Sequence, residues 1–154
     1  MIAVDGKSLR GSARLSDGRR HLLSAVAHHR AVTLGQVQVG AKTNETAHFK
    51  PLLEPLDLGG VLLTFDALHS VQANVTWLVE IKNAHYIAVI KANQPTGYRQ
   101  DVALQHTACT TGHGRRESRS IKTCGIADEL GGIAFPHARL VLRVHRRRRQ
   151  VGRR

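Results

Sequence analysis

The 154-residue sequence predicts an α/β protein, a mixed sheet with helices on its faces. Three observations predict it. Short runs of β character come first, at residues 2–5 (IAVD), 21–29 (HLLSAVAHH) and 33–39 (TLGQVQV), the first two joined by a longer polar connection with Gly11, Ser12 and Gly18 and the last two by a short link. Two nearly unbroken apolar runs follow, 61–67 (VLLTFDA) and 86–93 (YIAVIKAN), of the kind that marks strands covered on both faces. Helical patterns lie before, between and after these later runs.

Each element has a local reason. The second run is entered from the turn-like SDGRR, and the third alternates β-branched residues. Their link at Arg30 and Ala31 is short enough for a hairpin. Asn44 is placed to cap a helix, with Glu45 in its first turn, and Pro51 and Pro55 are expected to divide or kink it. Gly59 and Gly60 break the chain before the fourth strand. Ser70 is placed to cap the next helix, in which Val71, Val75, Leu78 and Ile81 fall on one face. Thr96 begins a helical stretch reaching to about residue 108. The order β-β-β-α-β-α-β-α predicts an antiparallel meander whose first strand is joined by parallel strands through right-handed crossovers. Beyond residue 109 the pattern changes. Residues 110–114 read as a turn, RRESRSIKT as a strand, and ARLVLRVHRRRR as an alternating strand that runs into arginines.

The charge is unevenly spread. The chain carries a net +12, and residues 113–154 hold 12 Lys/Arg against 3 Asp/Glu. A basic segment attached to a nearly neutral body predicts a polyanionic partner, most simply nucleic acid. The alternative is a solvated arginine tail with no specific partner. The two cysteines, Cys109 and Cys124, form no disulfide framework, and their spacing does not match a zinc finger. No run approaches the roughly 18 apolar residues of a membrane span, and no signal-peptide pattern is present, so a cytoplasmic location is expected.

Gly6, Lys7 and Ser8 spell the end of a phosphate-binding loop, but Met1 stands where that loop needs its first glycine. Asp5 is the more informative residue. It ends the apolar run of the first strand, as Asp66 ends the apolar part of the fourth. Either aspartate alone is more simply a cap for the following turn. Together, on strands expected to be neighbours, they form a pair able to hold a divalent cation at the rim of the sheet. Two acids so placed in a β-β-β-α-β order match the ribonuclease-H-like layout.

With those residues in view, IAVDGKSLRGS, HLLSAVAHHRAVTLGQVQVGAKTNE, LLEPLDLGGVLLTFDALHSVQ, YIAVIKANQPTG and GHGRRESR together resemble insertion-sequence transposases of the H-repeat-associated type, in the DDE superfamily. The likeness runs from about residue 2 to about residue 149. It implies an incomplete ribonuclease-H-like core at 1–108, a basic β-rich insertion at 109–146 and an arginine-rich tail at 147–154. It also implies Asp5 and Asp66 as catalytic ligands of Mg²⁺ or Mn²⁺, and DNA ends and target DNA as partners. The family's helical N-terminal region and its third acid, a late-helix glutamate, have no counterpart here. The chain therefore reads as cut at both ends and is expected to be inactive or nearly so, or to be a non-catalytic nucleic-acid-binding remnant. Glu117 lies among Arg115, Arg116 and Arg119, where a carboxylate is more simply paired with guanidinium groups than bound to a metal.

Lys7 and Arg10 are candidate phosphate contacts, or ordinary surface charges. Arg115, Arg116, Arg119, Arg146, Arg147, Arg148 and Arg149 are candidate contacts to the DNA backbone. Lys91, Asn93 and Gln94 form a polar strand end, His28 and His29 read as a strand end rather than a ligand pair, and Trp77 reads as core-facing or flanking. With aromatics at 4%, a single-strand binder built on stacked bases is disfavoured.

Overall fold

Strand β1 (Ile2–Ser8) is the centre of a five-stranded sheet. The computed structural model describes residues 1–9, 20–40, 45–91, 95–96, 99, 108–114, 117–126, 133 and 135–148. They fall into two units, Met1–Lys91 and Ala92–Arg154.

In the first unit, β1 pairs antiparallel with β2 (His21–Ala27), and β2 with β3 (Val32–Val39). On its other side β1 pairs parallel with β4 (Leu62–Phe65), and β4 with β5 (His85–Ala88). The order β3-β2-β1-β4-β5 is the meander with parallel additions that the run order predicts. The β2–β3 hairpin turns at His28–Ala31, where Ala31 has φ +51°. Leu34 is an extra residue at a bulge, because Ala25 pairs with Gly35 and Val26 with Thr33.

Register places Ile2, Val4, Leu23, Ala25, Ala27, Leu63 and Phe65 on one face, and all are buried. A 3₁₀ turn (Glu45–His48) leads into α1 (Phe49–Leu53), whose Phe49, Leu52 and Leu53 cover that face. The Phe49 ring meets Phe65 edge-on at 5.4 Å. Burying these side chains is the main driving force for the unit.

Several elements differ from expectation. Pro51 sits in the first turn of α1, where a missing N–H breaks no helical bond, so it does not divide the helix. Asn44 lies outside the described residues. The next helix, α2 (Gln72–Thr76), starts after Val71 rather than at a Ser70 cap and continues as a π turn over Trp77–Ile81. The π turn adds a residue to the helical repeat, with Lys82 N donating to Trp77 O at 3.2 Å. Val75 and Leu78 are fully buried as expected, but Ile81 is turned out and is 69% exposed. Strand β5 is shorter than the 86–93 run and is the sheet's edge, so its Ile87 is exposed rather than covered on both sides. Residues 95, 96 and 99 are helical, but the remainder of the helix expected to reach residue 108 lies outside the described residues.

The second unit holds a three-stranded antiparallel sheet in the order β6 (Ala108–Gly114), β7 (Glu117–Gly125), β8 (Leu140–Arg148). Strands β7 and β8 match the two C-terminal runs. Strand β6 replaces the turn expected at 110–114: Thr110 and Thr111 suit a ladder, and Gly112 and Gly114 are tolerated in it.

Candidate functional site

Three elements converge on the rim of the first sheet. The parallel β1–β4 ladder runs Ile2 with Leu63, Ala3 with Thr64 and Val4 with Phe65. Asp5 and Asp66 are each the next residue on their strands. The register thus brings the two aspartates to the same level on adjacent strands. Asp5 does not end its strand, as the apolar run suggested. β1 continues antiparallel to β2 through Ser8, and Asp5 ends only the parallel part. Val4 is buried and Asp5 exposed, as alternation requires. Its carboxylate has no hydrogen-bond or ion-pair partner among the described residues.

Asp66 is also exposed, and its Oδ1 accepts from the backbone N–H of Leu68 (3.0 Å) and of His69 (3.4 Å). One carboxylate oxygen therefore organises the turn after β4, and Oδ2 takes no part in these bonds. Ser70 Oγ donates to Asp66 O at 2.8 Å and accepts from Val89 N at 3.0 Å, tying this turn to the end of β5.

The reverse face of β1 carries a cluster that residue patterning did not reveal. Glu45 accepts from His21 Nε2 at 2.6 Å and from His69 Nε2 at 3.0 Å. A carboxylate only accepts, so both rings donate from Nε2. His21 Nδ1 then meets the Ser8 hydroxyl at 3.0 Å. His69 is 1% exposed, stacks on Phe49 at 5.1 Å, and its Nδ1 is buried with no partner among the described residues. Gly6 makes room for this arrangement: a Cβ there lies 2.1 Å from Glu45 Oε1. Glu45 thus links β1, β2 and the Asp66 turn from behind. The sequence signal was available in Gly6 following Asp5 and in His69 three residues after Asp66, but only the fold brings Glu45 to both.

Among the described residues no cluster of three or more His, Cys, Asp or Glu is arranged to hold a metal ion. The Asp5–Asp66 pair is a two-carboxylate set of hard oxygen donors. Such a set suits Mg²⁺, which commonly keeps several waters and takes one or two carboxylates.

Lys7 is exposed and shares the face of Asp5, two residues along β1. Arg10, Asn93, Gln94, Arg115, Arg116 and Arg149 lie outside the described residues, and Lys91 is an exposed residue beyond β5. In the second unit Arg119 is in register with Arg146, Ser118 with Arg147, and Glu117 with Arg148. Arg119, Arg146 and Arg147 are exposed. His28 and His29 lie in the hairpin turn. Trp77 is half-buried beneath the Lys50 and Lys82 ammonium groups, 5.9 and 5.5 Å from its ring, which is a flanking role. Burial raises the pKa of the Tyr86 phenol above its ordinary value. No helix among the described residues is long and apolar enough to cross a membrane.

Comparison with known proteins points to one class, the transposases. No family model matches the chain. Curated relatives at 27–39% identity include several named as transposases, some of them H repeat-associated, in agreement with the motif resemblance. The chain is 39% identical over 98 residues to a protein named transposase YncI of Escherichia coli O157:H7, covering 61% of this chain and 24% of that one. It is 27% identical over 149 residues to the H repeat-associated transposase YbfD of Escherichia coli K12, covering 88% of this chain and 58% of the relative. The chain spans between 24% and 58% of the length of the curated relatives it matches. Among solved structures, a piggyBac transposase synaptic complex with hairpin DNA matches 93% of this chain and 32% of its own, with TM-score 0.51 and 10% identity. At that identity the likeness is one of fold.

Proposed function

We propose that the chain forms part of a ribonuclease-H-like core of a DNA transposase of the DDE type. One observation carries the reading: the β1–β4 register sets Asp5 and Asp66 side by side, one residue past the Val4–Phe65 pair. The strand order, the mixed sheet and the transposase names of the relatives support it.

In this reading Asp5 and Asp66 hold Mg²⁺ or Mn²⁺. Ions bound there supply charge neutralisation at a phosphodiester under attack by water or a DNA 3′-hydroxyl. The chain's own residues do the rest. The Leu68 and His69 N–H groups fix the Asp66 carboxylate, Glu45 ties β2 to the Asp66 turn from the reverse face, and Lys7, two residues along β1 on the face of Asp5, would orient a phosphate. The basic second unit engages the DNA backbone through salt-dependent contacts.

The test is a Mn²⁺ titration of the full chain followed by electron paramagnetic resonance, with Asp5→Asn and Asp66→Asn beside it. Saturable binding weakened at least tenfold by either substitution is expected. Equal binding by all three proteins would refute the assignment. A second reading, a basic protein that binds nucleic acid without chemistry, is favoured by the concentration of positive charge in residues 113–154. It predicts DNA binding indifferent to both aspartates and to divalent ions.

A further inference from the structure

The β7–β8 ladder separates the positive charge of the second unit into two sets. In an antiparallel pair, residues in register share a face and successive residues alternate. Lys122 is in register with Arg143, Ser120 with His145, and Ser118 with Arg147. These six positions share one face. The opposite face carries Thr123 with Leu142, Ile121 with Val144, and Arg119 with Arg146. There Arg119 and Arg146, followed by Glu117 in register with Arg148, stand beside an apolar stripe, in which Ile121 is 40%, Leu142 47% and Val144 61% exposed. The first face is wholly polar over these six positions, and none of them is acidic.

We infer that the face carrying Lys122, Arg143, His145 and Arg147 is the one on which the phosphate backbone of duplex DNA lies. Arg143, His145 and Arg147 recur at every second residue of β8, about 6.8 Å apart. A regular row of cationic side chains at that spacing suits the regular row of phosphates along a DNA strand. Ser118 and Ser120 place hydroxyl donors beside them, and hydroxyls as well as guanidinium groups serve phosphate oxygens. Lys122, His145 and Arg147 are exposed, and Arg143 is half-buried. On the other face the apolar stripe takes the middle of the ladder, and the carboxylate-bearing Glu117 stands in register with Arg148. The inference rests on the proposed DNA-binding role and assigns it a surface. It adds Lys122 and Arg143, and it removes Arg119 and Arg146 from direct contact.

The test measures binding of the full chain to a 30-base-pair duplex of arbitrary sequence by fluorescence anisotropy between about 50 and 200 mM salt. Two variants are compared with the parent: Lys122→Ala/Arg143→Ala/Arg147→Ala, and Arg119→Ala/Arg146→Ala. Each lost phosphate contact flattens the log–log salt slope by about 0.9, so the triple variant should flatten it by about 2.7 and weaken binding at least tenfold. The double variant should leave the slope within about one unit. A double variant that loses as much as the triple overturns the face assignment while leaving DNA binding intact, as does a triple variant that binds like the parent. A parent chain that does not bind duplex DNA overturns the underlying reading, and one that prefers single-stranded RNA tenfold overturns the choice of partner. Should the triple variant not fold, acylation of Lys122 in the parent chain decides. Protection by duplex DNA supports the assignment, and unchanged labelling contradicts it.

Discussion

Replacing Gly6 with alanine probes the brace behind the aspartate pair. A glycine-to-alanine change inside a strand ordinarily stabilises slightly, because it narrows the unfolded ensemble and adds a side chain to pack. Here the new Cβ meets Glu45 Oε1 at 2.1 Å, so the carboxylate must withdraw by more than about 1 Å to reach ordinary contact. It cannot do so and keep both imidazole bonds, at 2.6 and 3.0 Å. Hydrogen bonds to a charged group contribute about 1.5–3 kcal/mol each, and His69, at 1% exposure, is left with a buried unpaired N–H. The expected cost is about 2–4 kcal/mol after partial relaxation, or roughly 4–16 °C in Tm for a chain of this size. Urea denaturation of the parent, Gly6→Ala, Glu45→Ala and the double variant measures it. In the Glu45→Ala background the Gly6→Ala cost should fall to about 0.5 kcal/mol or less, because the clash is gone. A Gly6→Ala protein within about 0.5 kcal/mol of the parent, or a cost unchanged without Glu45, refutes the brace.

Three further outcomes are expected. Asp66→Asn keeps an acceptor for the Leu68 and His69 N–H groups and should lower stability by less than about 1 kcal/mol, whereas Asp66→Ala should cost about 1–3 kcal/mol; urea melts separate the two. Leu78→Ala should cost about 2–5 kcal/mol and Ile81→Ser less than about 0.5 kcal/mol, although both fall on the same sequence-predicted face; the same melts compare them. Tyr86 holds its proton more tightly in the folded chain than in the unfolded one, whose phenol titrates near 10.0. Its contribution is therefore complete below that pH and declines above it, by at most about 1.4 kcal/mol per pH unit, and a pH series of melts should show this decline lessened in Tyr86→Phe.

The strand order was legible because its signals are local: β-branched alternation in β3, a short link between β2 and β3, and apolar continuity in β4. Strand ends were less so. The VLLTFDA run does not show that pairing stops at Phe65, nor IAVD that β1 continues through Gly6, Lys7 and Ser8 along β2. Ile81 leaves its predicted face because a regular helical repeat cannot anticipate the extra residue of a π turn. Thr110–Gly114 departs from the turn it suggests because its glycines outweigh its threonines locally, while pairing with β7 decides the outcome. The two aspartates could be paired from their matching places after apolar runs. Glu45 could not, because its partners His21 and His69 are each 24 residues away and meet only across the folded sheet.

Iron-mediated backbone cleavage tests the aspartate pair most directly. Fe²⁺ in place of Mg²⁺, with ascorbate and peroxide, cuts the polypeptide beside the bound ion. Cuts in the full chain are expected close to Asp5 and Asp66, suppressed by excess Mg²⁺ and lost in Asp5→Asn. Cleavage confined to other parts of the chain, or unaffected by that substitution, would contradict the assignment.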